Sequence, residues 1–327
     1  MKLSSMIWLL PLALLALIVY VGASALRGAP RTVEKPPVAA DPNAAEFPRT
    51  LIENGGHEVV IQTRPMRIVP SDCGPADMLS ALVDPTRIAA LPQTVDTYGA
   101  AQDFYRARAD IQRYAKFTSE TMLELKPDLV LFTTYREPAI AAYLESHGIT
   151  VVRFENFKTF DGICGAILAV GHATGDDAKA RAAVEEFDRR LKAVETAVAG
   201  KKRPRTLGYS NYGQGSAVGT GESQDEVIRR AGADNAAAEM NLSGHPNFTF
   251  EQLLRLNPDW IVVGGDKGLE STQAQLLLSQ AELSGLKAIQ ERHIAVIPDR
   301  YYSSISQYVV EAVEILAKQL HSDAFEK

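Results

Sequence analysis

FTSETMLELKPDLVLF, residues 117–132, returns in altered form as FTFEQLLRLNPDWIVV, residues 248–263, 131 positions further along the chain. Short repeat periods build solenoids and propellers, so a spacing this wide points to two copies of a domain-sized unit. In each copy a threonine, Thr118 or Thr249, suits a helix N-cap, and Glu120 or Glu251 falls in the first turn, where the helix dipole favours an acid. Leu123 with Leu125, and Leu254 with Leu256, are expected to pack inward, and Pro127 or Pro258 stops the helix. The apolar runs 129–132 and 260–263 do not alternate, the pattern of a short parallel strand buried on both faces. The repeated unit is therefore helix, tight turn, buried strand.

The chain has 327 residues, 46% hydrophobic and 23% charged, an ordinary globular composition too long for one core, so two domains are expected. A net charge of −6 gives no electrostatic ground for nucleic-acid binding, and the one basic cluster, Lys201, Lys202, Arg203 and Arg205, reads as the end of a helix. Six histidines, His57, His147, His172, His245, His293 and His321, form no close ligand pair, and no resident metal is expected. The two cysteines, Cys73 and Cys164, are too few for a disulfide scaffold; one bridge or two separate thiols both remain open. Residues 1–26 carry no charge between Lys2 and Arg27 and read as a signal peptide, with Ala23-Ser24-Ala25 as a cleavage site, or as a retained membrane anchor. Residues 27–47, rich in Ala and Pro, read as a flexible linker. The expected location is the periplasm or cell envelope.

Beyond the linker, β-rich runs alternate with helical patterns in two series, which places an N-terminal α/β lobe at 48–172 and a C-terminal α/β lobe at 201–327. Between them, Ala180, Val184, Phe187, Leu191, Val194 and Val198 are spaced 4, 3, 4, 3, 4, an amphipathic helix pattern. Within a linking segment 173–200, the helix, capped by Thr174 or Asp176 and ended by Gly200, would act as a stiff strut of about 36 Å and would permit only small closure motion.

With these parts in order, the chain resembles the helix-linked (class III) periplasmic substrate-binding proteins of ABC importers for iron-siderophore complexes, haem and vitamin B12. The resemblance rests on RPMRIVPSDCGPADMLSALVDPTRIAAL, the two Glu-x7-Asp segments, the linking helix, GTGESQDEVIRRAGADNAA and the closing RHIAVIP strand. It implies two Rossmann-like lobes with a ligand cleft between them, a permease dimer as partner, and a monomeric, non-catalytic protein with no cofactor of its own. It also implies that Glu120 and Glu251 are the acidic contacts each lobe offers to permease arginines. In open α/β units ligands sit beyond the carboxyl ends of the strands. The loops there supply the candidate ligand residues: Ser71, Asp72, Tyr98, Tyr105, Arg106, Arg113, Tyr135 and Arg136 from the first lobe, and Tyr209, Tyr212, His245, Arg300, Tyr301 and Tyr302 from the second. Aromatic faces beside guanidinium groups suit a large metal chelate. A ferric siderophore is the expected ligand, with haem or cobalamin as alternatives. No nucleophile elbow, zinc motif or phosphate loop occurs, so the competing reading as an enzyme finds no motif, and a membrane-anchored interaction module is the remaining class.

Overall fold

The computed structural model describes residues 47–53, 56–210 and 215–326, all within one compact unit that begins at Ala39. The signal-or-anchor segment, the linker up to residue 46 and Tyr212 lie outside the described residues.

The repeated segments build the same local structure twice. Helix Ser119–Leu125 starts at Thr118, whose hydroxyl accepts from the Thr121 amide at 3.2 Å; helix Phe250–Leu256 starts at Thr249, where Gln252 completes a capping box. Each helix ends on a left-handed residue, Lys126 (φ 48°) or Asn257 (φ 43°), which turns the chain into the proline and the strand that follows. The aspartate after that proline closes the unit. Asp128 accepts from the Met66 and Arg67 amides at 2.7 and 2.9 Å, and Asp259 from the Arg205 amide at 3.1 Å. Arg67 and Arg205 answer by donating to the last helical carbonyls, Leu125 and Lys126 in one lobe, Leu256 and Asn257 in the other. So short a helix has one inward stripe, occupied by Met122 with Leu125 and by Leu253 with Leu256. Leu123, half-buried, also packs against the core of the first lobe, whereas the expected inward packing of Leu254 is corrected: it is exposed.

An opening hairpin, β1 (Arg49–Ile52) with β2 (Glu58–Ile61), precedes the first lobe. That lobe has a parallel sheet in the order β3 (Ile68–Pro70), β6 (Leu129–Thr133), β7 (Thr150–Phe154), and a parallel pair β4 (Ala90–Pro92), β5 (Gln112–Tyr114). A bridge between Ile68 and Ile88 lays the pair beside β3, so the spatial order β5-β4-β3-β6-β7 reverses its direction of winding at β3. In the second lobe β8 (Arg205–Ser210), β10 (Asp234–Asn235), β11 (Trp260–Gly264) and β12 (Ile294–Ile297) stand parallel in the order β10-β8-β11-β12, with β9 (Ser216–Ala217) antiparallel on β8. β6 is buried along its whole length and β8 and β11 through their middle residues, as strands covered by helices on both faces must be.

The linking helix spans Asp177–Ala197, 21 residues or about 31 Å. It is shorter than the expected 173–200 because a second helix, Phe160–Thr174, precedes it and ends at Gly175 in the left-handed conformation (φ 75°). Ala180, Phe187, Leu191 and Val194 form its buried stripe, with Phe187 edge-on against Phe160 at 5.5 Å. Ion pairs fasten it to both lobes. Buried Arg87 reaches Asp176 at 2.7 Å and Arg49 reaches Asp177 at 2.6 Å on the first lobe; Arg190 holds Glu311 and Glu314, each at 2.7 Å, on helix Val309–Leu320 of the second, and Arg230 pairs with Glu195.

Phe187→Ala opens a cavity in this seam that the fastened helices are poorly placed to refill. A loss of about 3 to 5 kcal/mol is expected by urea denaturation, and a loss below about 1 kcal/mol would mean the strut is not held by this stripe.

Candidate functional site

The strand ends of the two lobes face a shared cleft of about 410 Å³. On the first lobe the chain leaves β3 through Ser71 and Asp72, β4 through Thr94 and Tyr98, β6 through Tyr135 and Arg136, and β7 through Phe157. The reversal of strand order at β3 splays these loops apart and leaves the crevice between them. The second lobe contributes Glu222, Ser223, Gln224, His245, Ser303 and Ile305. Gly74 and Ile305 bring the two walls into close contact, because a Cβ at Gly74 would collide with the Ile305 side chain.

Asp72 organises the floor. It caps helix Cys73–Leu82 by accepting from the Gly74 amide at 3.1 Å, and it accepts hydroxyl hydrogens from Ser71 (2.8 Å) and Thr133. Arg136 lies alongside, donating to the Ser71 carbonyl at 3.0 Å with its Nε 3.9 Å from the Asp72 carboxylate. The loop bearing Thr94 and Tyr98 is pinned from behind. Asp77, 2% exposed, accepts from the Ala100 and Ala101 amides at 3.0 and 2.9 Å, and burial pushes its carboxyl up to about 7. Arg113 grips the Asp96 carboxylate with two bonds of 2.9 and 3.1 Å, and Arg106 donates to the Asp96 carbonyl at 2.6 Å. The result is a presented ring: Tyr98 is 67% exposed. Tyr135 is similarly open at 70% and lies 6.0 Å from the Phe157 ring.

Of the residues expected to bind ligand, the fold brings Asp72, Tyr98, Tyr135, Arg136 and His245 to the cleft, with Ser71 buried just beneath. It does not bring the other described ones. Tyr105 is wholly buried and donates to the Ala76 carbonyl; Arg106 and Arg113 are spent on Asp96 as described. Tyr209 is buried with its hydroxyl on the Phe248 carbonyl at 3.2 Å, and Tyr302 is buried close to Gly208, its hydroxyl without a partner among the described residues. Arg300 turns to Asp266 at 3.0 Å and lies over the half-buried Tyr301 ring. Sequence reasoning missed Thr94, Phe157, Glu222, Ser223, Gln224, Ser303 and Ile305. For Glu222 to Gln224 a signal existed in the GTGESQDE turn between strand and helix; for Phe157 and Ile305 none did.

Cys73 and Cys164 are separate free thiols, so of the two readings left open the fold takes the unbridged one. Burial pushes both up, Cys73 to about 11 and Cys164 to about 12, which leaves neither as a thiolate nucleophile. Among the described residues no group of three or more His, Cys, Asp or Glu side chains is placed to hold a metal ion. Glu120 and Glu251 are both exposed at the starts of their helices; the Glu120 carboxyl is held below its ordinary range by its own backbone amide and Thr118.

A family model described as "Periplasmic binding protein" matches residues 68–301. Among curated proteins, the chain is 25% identical over 282 residues to a cobalamin-binding protein of Halobacterium salinarum, covering 85% of this chain and 76% of the relative. It is 24% identical over 288 residues to an uncharacterized ABC transporter substrate-binding lipoprotein, YvrC, of Bacillus subtilis, covering 86% and 88%. Among solved structures, the periplasmic heme-binding protein BhuT in complex with two hemes superposes with a TM-score of 0.65 at 25% identity, covering 80% of this chain and 99% of that one.

The raised Asp77 carboxyl ties stability to pH. Between its ordinary value of 3.8 and about 7 the folded chain holds a proton there that the unfolded chain has lost. The Asp77 contribution to stability therefore falls as pH rises through that window and is constant above it, a change on the order of a few kcal/mol. Denaturation midpoints from pH 4.5 to 8 should carry this slope in the wild type and lack it in Asp77→Asn.

Proposed function

The chain belongs to the periplasmic binding protein family, and from that premise we propose that it captures a corrinoid of the cobalamin type in the cell envelope and hands it to an ABC permease. It is a binding protein and not an enzyme. The observation that carries the choice of ligand is the charge inventory of the cleft. Among the described residues its one lining guanidinium, Arg136, is already engaged by Ser71 and Asp72, and the remaining charged lining groups are the carboxylates Asp72 and Glu222. A ligand bearing carboxylates would be desolvated there without a free cation to pair with. A corrinoid presents a large apolar face ringed by neutral amides. The exposed faces of Tyr98 and Tyr135, with Thr94, Ser223, Gln224, His245 and Ser303 around them, supply stacking area and hydrogen-bond partners for such a rim. The cobalamin-binding relative supports the same ligand class. The expected ferric siderophore gives way on the same charge argument.

Haem is the second reading. The heme-bound structural neighbour favours it, and Tyr98, Tyr135 and His245 are side chains of axial-ligand chemistry open to the cleft. Against it, burial and the Glu222 and Asp72 carboxylates push the Tyr135 phenol up, away from the tyrosinate that ferric iron takes.

Glu120 and Glu251 are proposed as the permease contacts. Each sits at the exposed start of the repeated helix, outside the cleft, and paired anionic contacts would orient the protein on a two-subunit transporter.

Calorimetric titration with cyanocobalamin is expected to give saturable binding, weakened about tenfold in Tyr135→Ala through the lost aromatic contact; no saturation would sink the corrinoid assignment. In cells, Glu120→Ala combined with Glu251→Ala is expected to abolish uptake while ligand affinity and the denaturation midpoint stay near wild type. Wild-type uptake by that double variant would leave both glutamates as helix-start acids only.

A further inference from the structure

Glu222 stands where the second lobe enters the cleft, as the residue before helix Ser223–Arg230. Its side chain is 15% exposed and its carboxylate pairs with Lys158 of the first lobe at 3.0 Å, whose own side chain is 66% exposed. The pair is asymmetric. The carboxylate is held against the cleft, whereas the ammonium reaches it from solvent, where water and salt weaken its neutralising field. Glu222 also acts on the ligand-facing ring opposite: the field of its carboxylate favours the neutral Tyr135 phenol, and Lys158 opposes it.

The lobes do not depend on this ion pair for their alignment. Glu226, one turn further along the same helix, accepts from the Phe160 amide at 2.7 Å across the same boundary. On the other flank the Gln307 amide donates to the Asp77 carbonyl at 2.8 Å, and Ser80 meets the Tyr308 hydroxyl at 3.1 Å. Lys158 with Glu222 is thus the exposed, replaceable contact beside these part-buried ones.

We infer that Glu222 is the charge filter of the cleft: its carboxylate rejects ligands that carry carboxylates, and Lys158 sets how strongly it does so. The filter acts by like-charge repulsion in a partly desolvated site, a means of specificity against the wrong ligand that adds no affinity for the right one. The inference rests on the cleft being the ligand site and specifies which charges it refuses.

The test uses haemin, whose two propionates make it an anionic macrocycle, titrated by its absorption spectrum against the wild type, Glu222→Gln and Lys158→Gln at low and moderate salt. Both variants break the same ion pair, so a purely structural latch would shift haemin affinity in the same direction in both. A charge filter moves them oppositely. Glu222→Gln should bind haemin at least about tenfold more tightly than wild type, and Lys158→Gln more weakly, with both differences shrinking as salt rises. Shifts of the same sign, or haemin affinities equal across all three proteins, including no binding to any, would overturn the assignment. Cyanocobalamin, which has no net charge, is titrated in parallel, and whatever change either variant makes to its affinity should not vary with salt. Failure of cyanocobalamin to bind the wild type, beside opposite haemin shifts, would reject the corrinoid reading and leave the filter standing.

Discussion

The geometry of this protein depends on a single helix fastened at both ends. Asp177–Ala197 buries Ala180, Phe187, Leu191 and Val194 in the seam, while Arg87 and Arg49 bind its start to the first lobe and Arg190 and Arg230 bind its length to the second. A connector of this kind bends little, because bending would break intrahelical hydrogen bonds or open the packed stripe. The strand ends of the two lobes are therefore held facing each other at a nearly fixed distance. The cleft is a standing feature of the fold, and its selectivity must come from the side chains that line it more than from closure around the ligand.

The duplicated segment has two layers of meaning. Its proline and aspartate are structural: Asp128 with Arg67, and Asp259 with Arg205, tie the end of a short helix to the start of the first strand in each lobe by the same exchange of hydrogen bonds. Its glutamates take no part in that exchange and stand exposed on the outer helix starts. A reading of the repeat as docking signal alone would overlook that half of it is the corner on which each sheet is built.

At the cleft, second-rank contacts decide which groups are offered. Asp77, Arg106 and Arg113 never reach the cavity, yet together they fold the 94–106 stretch so that Tyr98 is presented and Tyr105 is buried. Arg136 reaches the cavity, but its engagement with Ser71 and Asp72 leaves little of its charge for a ligand. A guanidinium counted from sequence as available to an acidic ligand is, in the fold, part of the floor. The proposal of a neutral, amide-rimmed ligand over an anionic chelate rests on that difference.

What sequence determined by itself is what depends on local periodicity. The two Phe-Thr-x-Glu…Pro-Asp copies specify a helix, a turn and a buried strand in each lobe, and the 4-3-4-3-4 spacing specifies the inward face of the linking helix, since side-chain direction repeats with the backbone. The cleft positions of Asp72, Tyr98, Tyr135 and Arg136 were also legible, because the loop beyond a strand in an α/β unit is carried toward the crevice. Tertiary structure alone decided the rest. Tyr98 and Tyr105 lie seven residues apart in one polar stretch, and only Asp77 and Arg113, brought from other elements, send one out and the other in. The pairing of Lys158 with Glu222 joins residues 64 positions apart across two lobes, a contact without a local pattern, because charge complementarity acts through space and leaves no period in the chain.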